Sequence, residues 1–194
     1  EAVSNATVAL FLALHAQGMG RGDEVLVPSV SFIATANCVV HAGATPVFVD
    51  VEPRSCNVDP DCLERAIGPK TRAIVAVDQL GMPADMERIL AIPRRHRLVV
   101  IEDAACAAGT RVGGKAVGAG KHATCFSFHP RKVIVTGEGG MITTDDAEHP
   151  ARLPLLRHQG MSVSDLERHR SQTVLIEEYP VVGFNFRLSD VLAA

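Results

Sequence analysis

No Cys-x-x-Cys spacing occurs in the sequence, and its five cysteines (Cys38, Cys56, Cys62, Cys106 and Cys125) form an odd set. Both facts argue against a disulfide framework and a structural zinc site, and for a reducing, cytoplasmic compartment. An excess of positive charge is also missing. Lysine and arginine number 19 against 22 aspartates and glutamates, for a net charge of −3, which leaves no electrostatic footprint for a nucleic-acid partner. No apolar run approaches the roughly 18–20 residues that a membrane-spanning helix needs, so no membrane partner is expected. Linkers, low-complexity tracts and internal repeats are lacking as well. What remains is 194 residues, 47% of them hydrophobic, enough for one substantial core rather than two small ones.

Three nucleotide and hydrolase fingerprints fail. The glycine-rich segment "GTRVGGKAVGAGKH" (109–122) encloses five residues between Gly114 and Gly120 where a phosphate-binding P-loop has four. His122 then stands where Ser or Thr must hold magnesium. No G-x-G-x-x-G follows the first strand, and no G-x-S-x-G elbow exists. His122, Cys125 and His129 invite a metal reading, but two of them lie in an apolar strand pattern. Core or supporting roles suit them better, and no metal is expected.

The sequence does carry an alternation of strands and helices. Short apolar, β-branched runs fall at 24–29, 45–50, 72–78, 97–103, 123–128 and 139–145. Most are continuously apolar, as strands buried on both faces are. Helical patterns lie between them at 7–17, 32–43, 59–68 and 84–96, with Asp59 as a cap, Pro60 in a first turn and Pro93 as a breaker. A further helix opens at Ser189 or Asp190. The expected class is α/β: a three-layer, mostly parallel sheet with helices on both faces. Ligands in such folds sit beyond the carboxyl ends of the strands, which singles out Ser29, Phe32, Asp78, Asp103 and the stretch from Ser127 to Lys132.

Two segments concentrate the chemistry. In "VIEDAACAAG" (100–109), Glu102 and Asp103 end the most apolar strand, and a carboxylate aimed into a crevice needs a cation to stay ionised. In "CFSFHPRKVIVTGEGG" (125–140), Lys132 follows another strand and precedes a glycine-rich turn. A lysine and a carboxylate converging beside glycine-rich loops meet the needs of pyridoxal 5′-phosphate: a Schiff-base lysine, an acid for the pyridinium nitrogen and a helix N-terminus for the phosphate. Thr7, opening a helix in "SNATVAL", offers that last element. Solvated charge for Lys132 and a helix-capping or loop role for the carboxylates remain the competing readings.

The ordered motifs "SNATVAL", "GDEVLVPSVSFIATAN", "GATPVFVDVEP", "GMPADM", "VIEDAACAAGT", "FSFHPRKVIVTGEGGMITTDD", "LRHQGM" and "VGFNFRLSD" resemble the DegT-type sugar aminotransferases, fold type I pyridoxal phosphate enzymes of the aspartate aminotransferase superfamily. The resemblance implies that Lys132 is the Schiff-base lysine and that Asp103 pairs with the pyridinium nitrogen. By the same resemblance Ala6, Thr7 and Ser127 bind the phosphate, Phe32 stacks on the ring, and Asn185 reaches the phosphate of a neighbouring subunit in a homodimer with a shared site. Lys132 is then a proton shuttle in a partly apolar, cation-poor setting. The implied reaction moves an amino group from glutamate to a nucleotide-linked keto-sugar, in amino-sugar or polysaccharide biosynthesis. His129 and Glu138 are substrate contacts or supports, and Arg157 and His158 substrate-side or interface groups.

The sequence departs from the family pattern in two places. Ala6 replaces the usual glycine before the threonine, and Cys106 replaces a Gln or His that bonds the ring hydroxyl. Family members are also longer. The resemblance therefore implies that residues 1–194 are part of the large, cofactor-binding domain, without the N-terminal arm and the C-terminal small domain. Three alternatives stand beside this reading. One is an inactive, regulatory or structural member. Another is a related sugar dehydratase, which carries histidine at the lysine position, so that Lys132 argues against it. The last is a nucleotide-binding module, disfavoured by the failed glycine fingerprints.

Overall fold

The computed structural model describes residues 1–146 and 152–194. In chain order the elements are β1 (Ala2–Val3), α1 (Ala6–Ala16), β2 (Glu24–Pro28), α2 (Ala34–His41), β3 (Thr45–Val49), α3 (Pro60–Ala66), β4 (Thr71–Val77), α4 (Met86–Ala91), α5 (Pro93–His96) and β5 (Val99–Asp103). They continue with β6 (Arg111–Val112), β7 (Lys115–Ala116), β8 (Ala123–Ser127), β9 (Gly140–Thr143), α6 (Leu153–Arg157), α7 (Asp165–Arg170) and α8 (Asp190–Ala193). Seven strands form one sheet in the order β1-β9-β8-β5-β4-β2-β3. Strands β3, β2, β4, β5 and β8 run parallel, and β9 and β1 close one edge by antiparallel pairing.

Alternate residues of the central strands feed two separate cores, as the two-residue period of a strand requires. Val25, Val27, Ala73, Val75 and Ile101 pack with Leu10, Leu14 and Val39 of α1 and α2. Leu26, Ile74, Ala76 and Val100 pack with Leu63 of α3 and Ile89 of α4. These are the expected three layers, and burying each such Leu, Ile or Val side chain contributes about 1.5–3 kcal/mol. Among the described residues no helix is long and apolar enough to cross a membrane.

Local chemistry explains the boundaries. Asp59 Oδ1 accepts from the Asp61 and Cys62 amides at the start of α3. Pro93 divides the expected 84–96 helix into α4 and α5, itself taking the first turn of α5, where its missing N–H costs nothing. The glycine-rich segment that failed as a P-loop folds as the β6–β7 hairpin, whose turn residues Gly113 and Gly114 both have positive φ (54° and 81°). The helix expected at 7–17 is α1, and the sequence reading missed the edge strand β1 before it as well as α6 and α7. The latter opens on a capping box in which Ser164 Oγ accepts from the Glu167 amide and Glu167 reaches back to Ser164.

The β1 edge also binds the C-terminal stretch. The Ser4 amide donates to Phe186 O at 2.9 Å, Val3 bridges Arg187, and Arg157 meets both Glu1 and the Ala2 carbonyl. Strand β9 in turn lies against the start of α1. A Cβ at Gly140 would sit 2.6 Å from Asn5 C and 2.8 Å from Ala6 N, both backbone atoms. Gly140→Ala is therefore expected to destabilise the protein by about 1–3 kcal/mol, whereas Gly20→Ala, with open space around it, leaves stability nearly unchanged. Thermal unfolding of the two variants checks this, and equal melting temperatures would refute the contact.

Candidate active site

Parallel strands leave their carboxyl ends facing one crevice, and here that crevice is a cavity of about 750 Å³. Seven of the eight expected site residues line it: Ala6, Thr7, Phe32, Asp103, Cys106, Ser127 and Lys132. Asn185 does not. It lies in a bridge with His158, outside the cavity of this chain.

One end of the cavity is the N-terminus of α1. Asn5 takes an extended conformation (φ −171°) and its Oδ1 accepts from the Val8 amide at 3.0 Å. The amides of Ala6 and Thr7, in the first turn, have no acceptor inside the helix and carry the positive end of its dipole. Across from them Ser127 ends β8 with 5% exposure, its Oγ accepting from the His129 amide at 3.4 Å. These groups together present donors suited to an anion.

The opposite end is acidic. Asp103, the last residue of β5, is only 6% exposed. Its Oδ2 accepts from Thr35 Oγ1 at 2.9 Å and its Oδ1 from the Ala105 amide at 3.2 Å. Thr35 is in turn bonded to Ser31 at 2.8 Å. Burial pushes the Asp103 carboxyl above its ordinary range, and the bonds from Thr35 and Ala105 and the charge of Lys132 pull the other way.

Lys132 lies in a turn beyond β8, its amide donating to His129 O at 2.9 Å. Its Nζ donates to Cys106 Sγ at 3.1 Å. The setting is not cation-poor as expected, because Arg131 lines the same cavity. Phe32, just before α2, presents a ring that is 71% exposed. His129 and Glu138 face each other at the rim, 4.0 Å apart. Within this chain Arg157 pairs with Glu1 and His158 with Arg187.

Sequence reasoning missed Asn5 and Thr35, and noted Asp78 and Arg131 only by their places after β4 and β8. Asn5 had a visible signal, a capping residue directly before a helix. Thr35 is a lone polar group on the sheet-facing side of an apolar helix. Asp78 lines the cavity beside a polar group in which Glu102 accepts from Thr124 at 2.8 Å and pairs with His122 at 3.0 Å. Asp78 is 1% exposed. Its Oδ1 accepts from the Ala84 amide at 2.9 Å, and its Oδ2 has no partner among the described residues.

Three comparisons place this geometry among known proteins. The family model described as the DegT/DnrJ/EryC1/StrS aminotransferase family matches residues 2–194. GDP-perosamine synthase of Caulobacter vibrioides is 49% identical over 193 residues, covering 100% of this chain and 49% of that protein. Spore coat polysaccharide biosynthesis protein SpsC of Bacillus subtilis is 43% identical, with 100% and 50% covered. Among solved structures, DesV of S. venezuelae in complex with a ketimine intermediate is 39% identical, with a TM-score of 0.88 over 99% of this chain and 49% of DesV. The chain thus spans about half the length of the curated relatives it matches.

Burial first, and then the neighbouring Glu102, push the Asp78 carboxyl to about 7. A folded-state value above the unfolded one means that the folded state binds the extra proton. The stabilisation is therefore complete below about pH 4 and is lost as pH rises through 7. Asp78→Asn mimics the protonated acid. It is expected to gain on the parent by about 2–3 kcal/mol between pH 5 and pH 8, or ~4–12 °C in melting temperature. Thermal melts at the two pH values measure it, and a constant offset would contradict it.

Proposed function

Since the chain belongs to the DegT/DnrJ/EryC1/StrS aminotransferase family, we propose that the intact protein uses pyridoxal 5′-phosphate to transfer an amino group from glutamate to a nucleotide-linked keto-sugar. The observation that carries this reading is the convergence of Lys132 and Asp103 in one cavity with the free N-terminus of an eleven-residue helix. The names of the relatives, a GDP-perosamine synthase and a spore coat polysaccharide protein, support a sugar acceptor and a biosynthetic role.

The residues fit the cofactor. A buried carboxylate is costly without a positive partner, and Asp103 has hydrogen bonds from neutral donors but no cation bonded to it. A protonated pyridine nitrogen supplies that charge. Thr35 fixes the carboxylate for it. The Ala6 and Thr7 amides, the Thr7 hydroxyl and Ser127 take the phosphate, and the exposed face of Phe32 packs on the ring. Cys106 stands where the ring hydroxyl is expected and offers only a weak hydrogen bond.

Bound pyridoxal phosphate supplies an electron sink that acidifies the substrate C–H bond beside the transferred nitrogen. Lys132 Nζ, once released, takes that proton and returns it on the other side of the nitrogen. Arg131, a cation with no acidic partner among the described residues, meets an anionic part of the substrate at the rim. The chain is part of the large, cofactor-binding domain of a cytoplasmic homodimer, in which Asn185 serves the neighbouring site. Exposed apolar side chains near the rim, Ile33 at 61% and Val133 at 78%, support burial against a second subunit.

Lys132→Ala is expected to abolish transamination, the visible absorbance of bound pyridoxal phosphate and its fixation to the chain by borohydride. Retained activity would sink the assignment. Asp103→Asn should keep the absorbance but lower kcat by about 10²-fold or more, which steady-state kinetics with glutamate as donor resolves.

A further inference from the structure

Among the five cysteines, Cys106 has a distinctive neighbour. Cys38 and Cys125 are fully buried in the core beneath α1. Cys62 lies on α3 beside Arg65, and Cys56 is an exposed thiol on the cavity wall. Cys106 receives a hydrogen bond from the amine of Lys132 at 3.1 Å, and both groups are half-buried in a cavity whose rim reaches solvent.

The backbone holds this pair in place. The turn carrying Cys106 is closed by the Ala107 amide on Ala104 O at 2.9 Å, and Gly81 packs so closely that a Cβ there would lie 2.9 Å from Cys106 O. The turn carrying Lys132 is closed onto His129 O. Contraction from hydrogen-bond to covalent distance then needs only the flexible four-carbon stem of the lysine.

We propose that Cys106 and Lys132 form a site of peroxide modification, at which hydrogen peroxide joins sulfur to nitrogen as a sulfenamide. The thiolate is the reacting form of the cysteine. Its sulfur attacks one peroxide oxygen, the O–O bond breaks, and the departing hydroxide takes a proton from the Lys132 ammonium to leave as water. A sulfenic acid now faces a neutral amine. Nitrogen attacks sulfur, the S–O bond breaks, and the second hydroxide leaves as water with the surplus proton of the nitrogen. Peroxide is reduced to two waters, sulfur is oxidised by two electrons, and thiol and amine together lose two hydrogens. An added thiol reverses the bond by attacking sulfur and releasing the amine. The bond itself needs only the observed geometry. Its effect, withdrawal of Lys132 from the cofactor, rests on the function proposed above.

The test treats the purified full-length protein with hydrogen peroxide, cofactor-free and loaded with pyridoxal phosphate, and maps peptides by mass spectrometry without reductant. In the cofactor-free protein the expected product is a joined pair of peptides carrying Cys106 and Lys132, two hydrogens lighter than their sum and separated by dithiothreitol. Cys106→Ser and Lys132→Arg abolish it, and the parent protein alone suffices should either variant fail to fold. In the loaded protein dimedone captures a sulfenic acid at Cys106 and no joined pair forms. The proposal is overturned by the absence of the pair in cofactor-free protein, by a bridge containing an added oxygen, or by a Cys56–Cys106 disulfide in its place. A pair formed equally in both preparations supports the sulfur–nitrogen bond and instead overturns the reading of Lys132 as the cofactor-bearing lysine.

Discussion

The structure turns on one buried acid, Asp103. A carboxylate at 6% exposure loses its hydration and holds its position only because the surrounding chain replaces that hydration with fixed dipoles. Thr35 comes from α2 and the Ala105 amide from the turn after β5, so the acid is bonded from two elements that meet only in the folded sheet. Those bonds and the charge of Lys132 favour the ionised form against the burial that disfavours it.

The two-sided sheet makes such a site possible. Neighbouring residues on β5 point to opposite faces, so Glu102 and Asp103 share a strand end but not an environment. Glu102 is absorbed below by Thr124 and His122, while Asp103 faces the helices and the cavity. Had the sheet been covered on one face only, one of the two acids would be in water. Asp78 lines the cavity, and its burial and the neighbouring charge of Glu102 make that end of β4 sensitive to protons.

Much of the fold and part of the site were legible in the sequence. Strands β2, β4, β5 and β8 read as apolar runs because both of their faces are covered, and Asp103 could be located because it ends such a run, whereas Lys132 stayed ambiguous until the ordered motifs around it were read together. Thr35 was not legible, since its partner lies 68 residues away and nothing local distinguishes it from any helical threonine. The cation beside Lys132 was misjudged for the same reason: Arg131 directly precedes Lys132 in sequence, but only the fold shows that it lines the cavity. Strand β1 escaped notice because two residues carry no periodicity, and its existence depends on pairing with β9.

The contact of Gly140 with the start of α1 ties the anion end of the cavity to the edge of the sheet, backbone against backbone. Binding and edge order thereby become linked quantities. An anion held by the Ala6 and Thr7 amides fixes the first turn of α1, which in turn fixes β9 and the β1 edge that pairs with it. By mass action each tenfold excess of such a ligand over its dissociation constant adds about 1.4 kcal/mol to the folded state. That stabilisation falls on the two antiparallel strands as well as on the helix, although neither strand needs to touch the ligand.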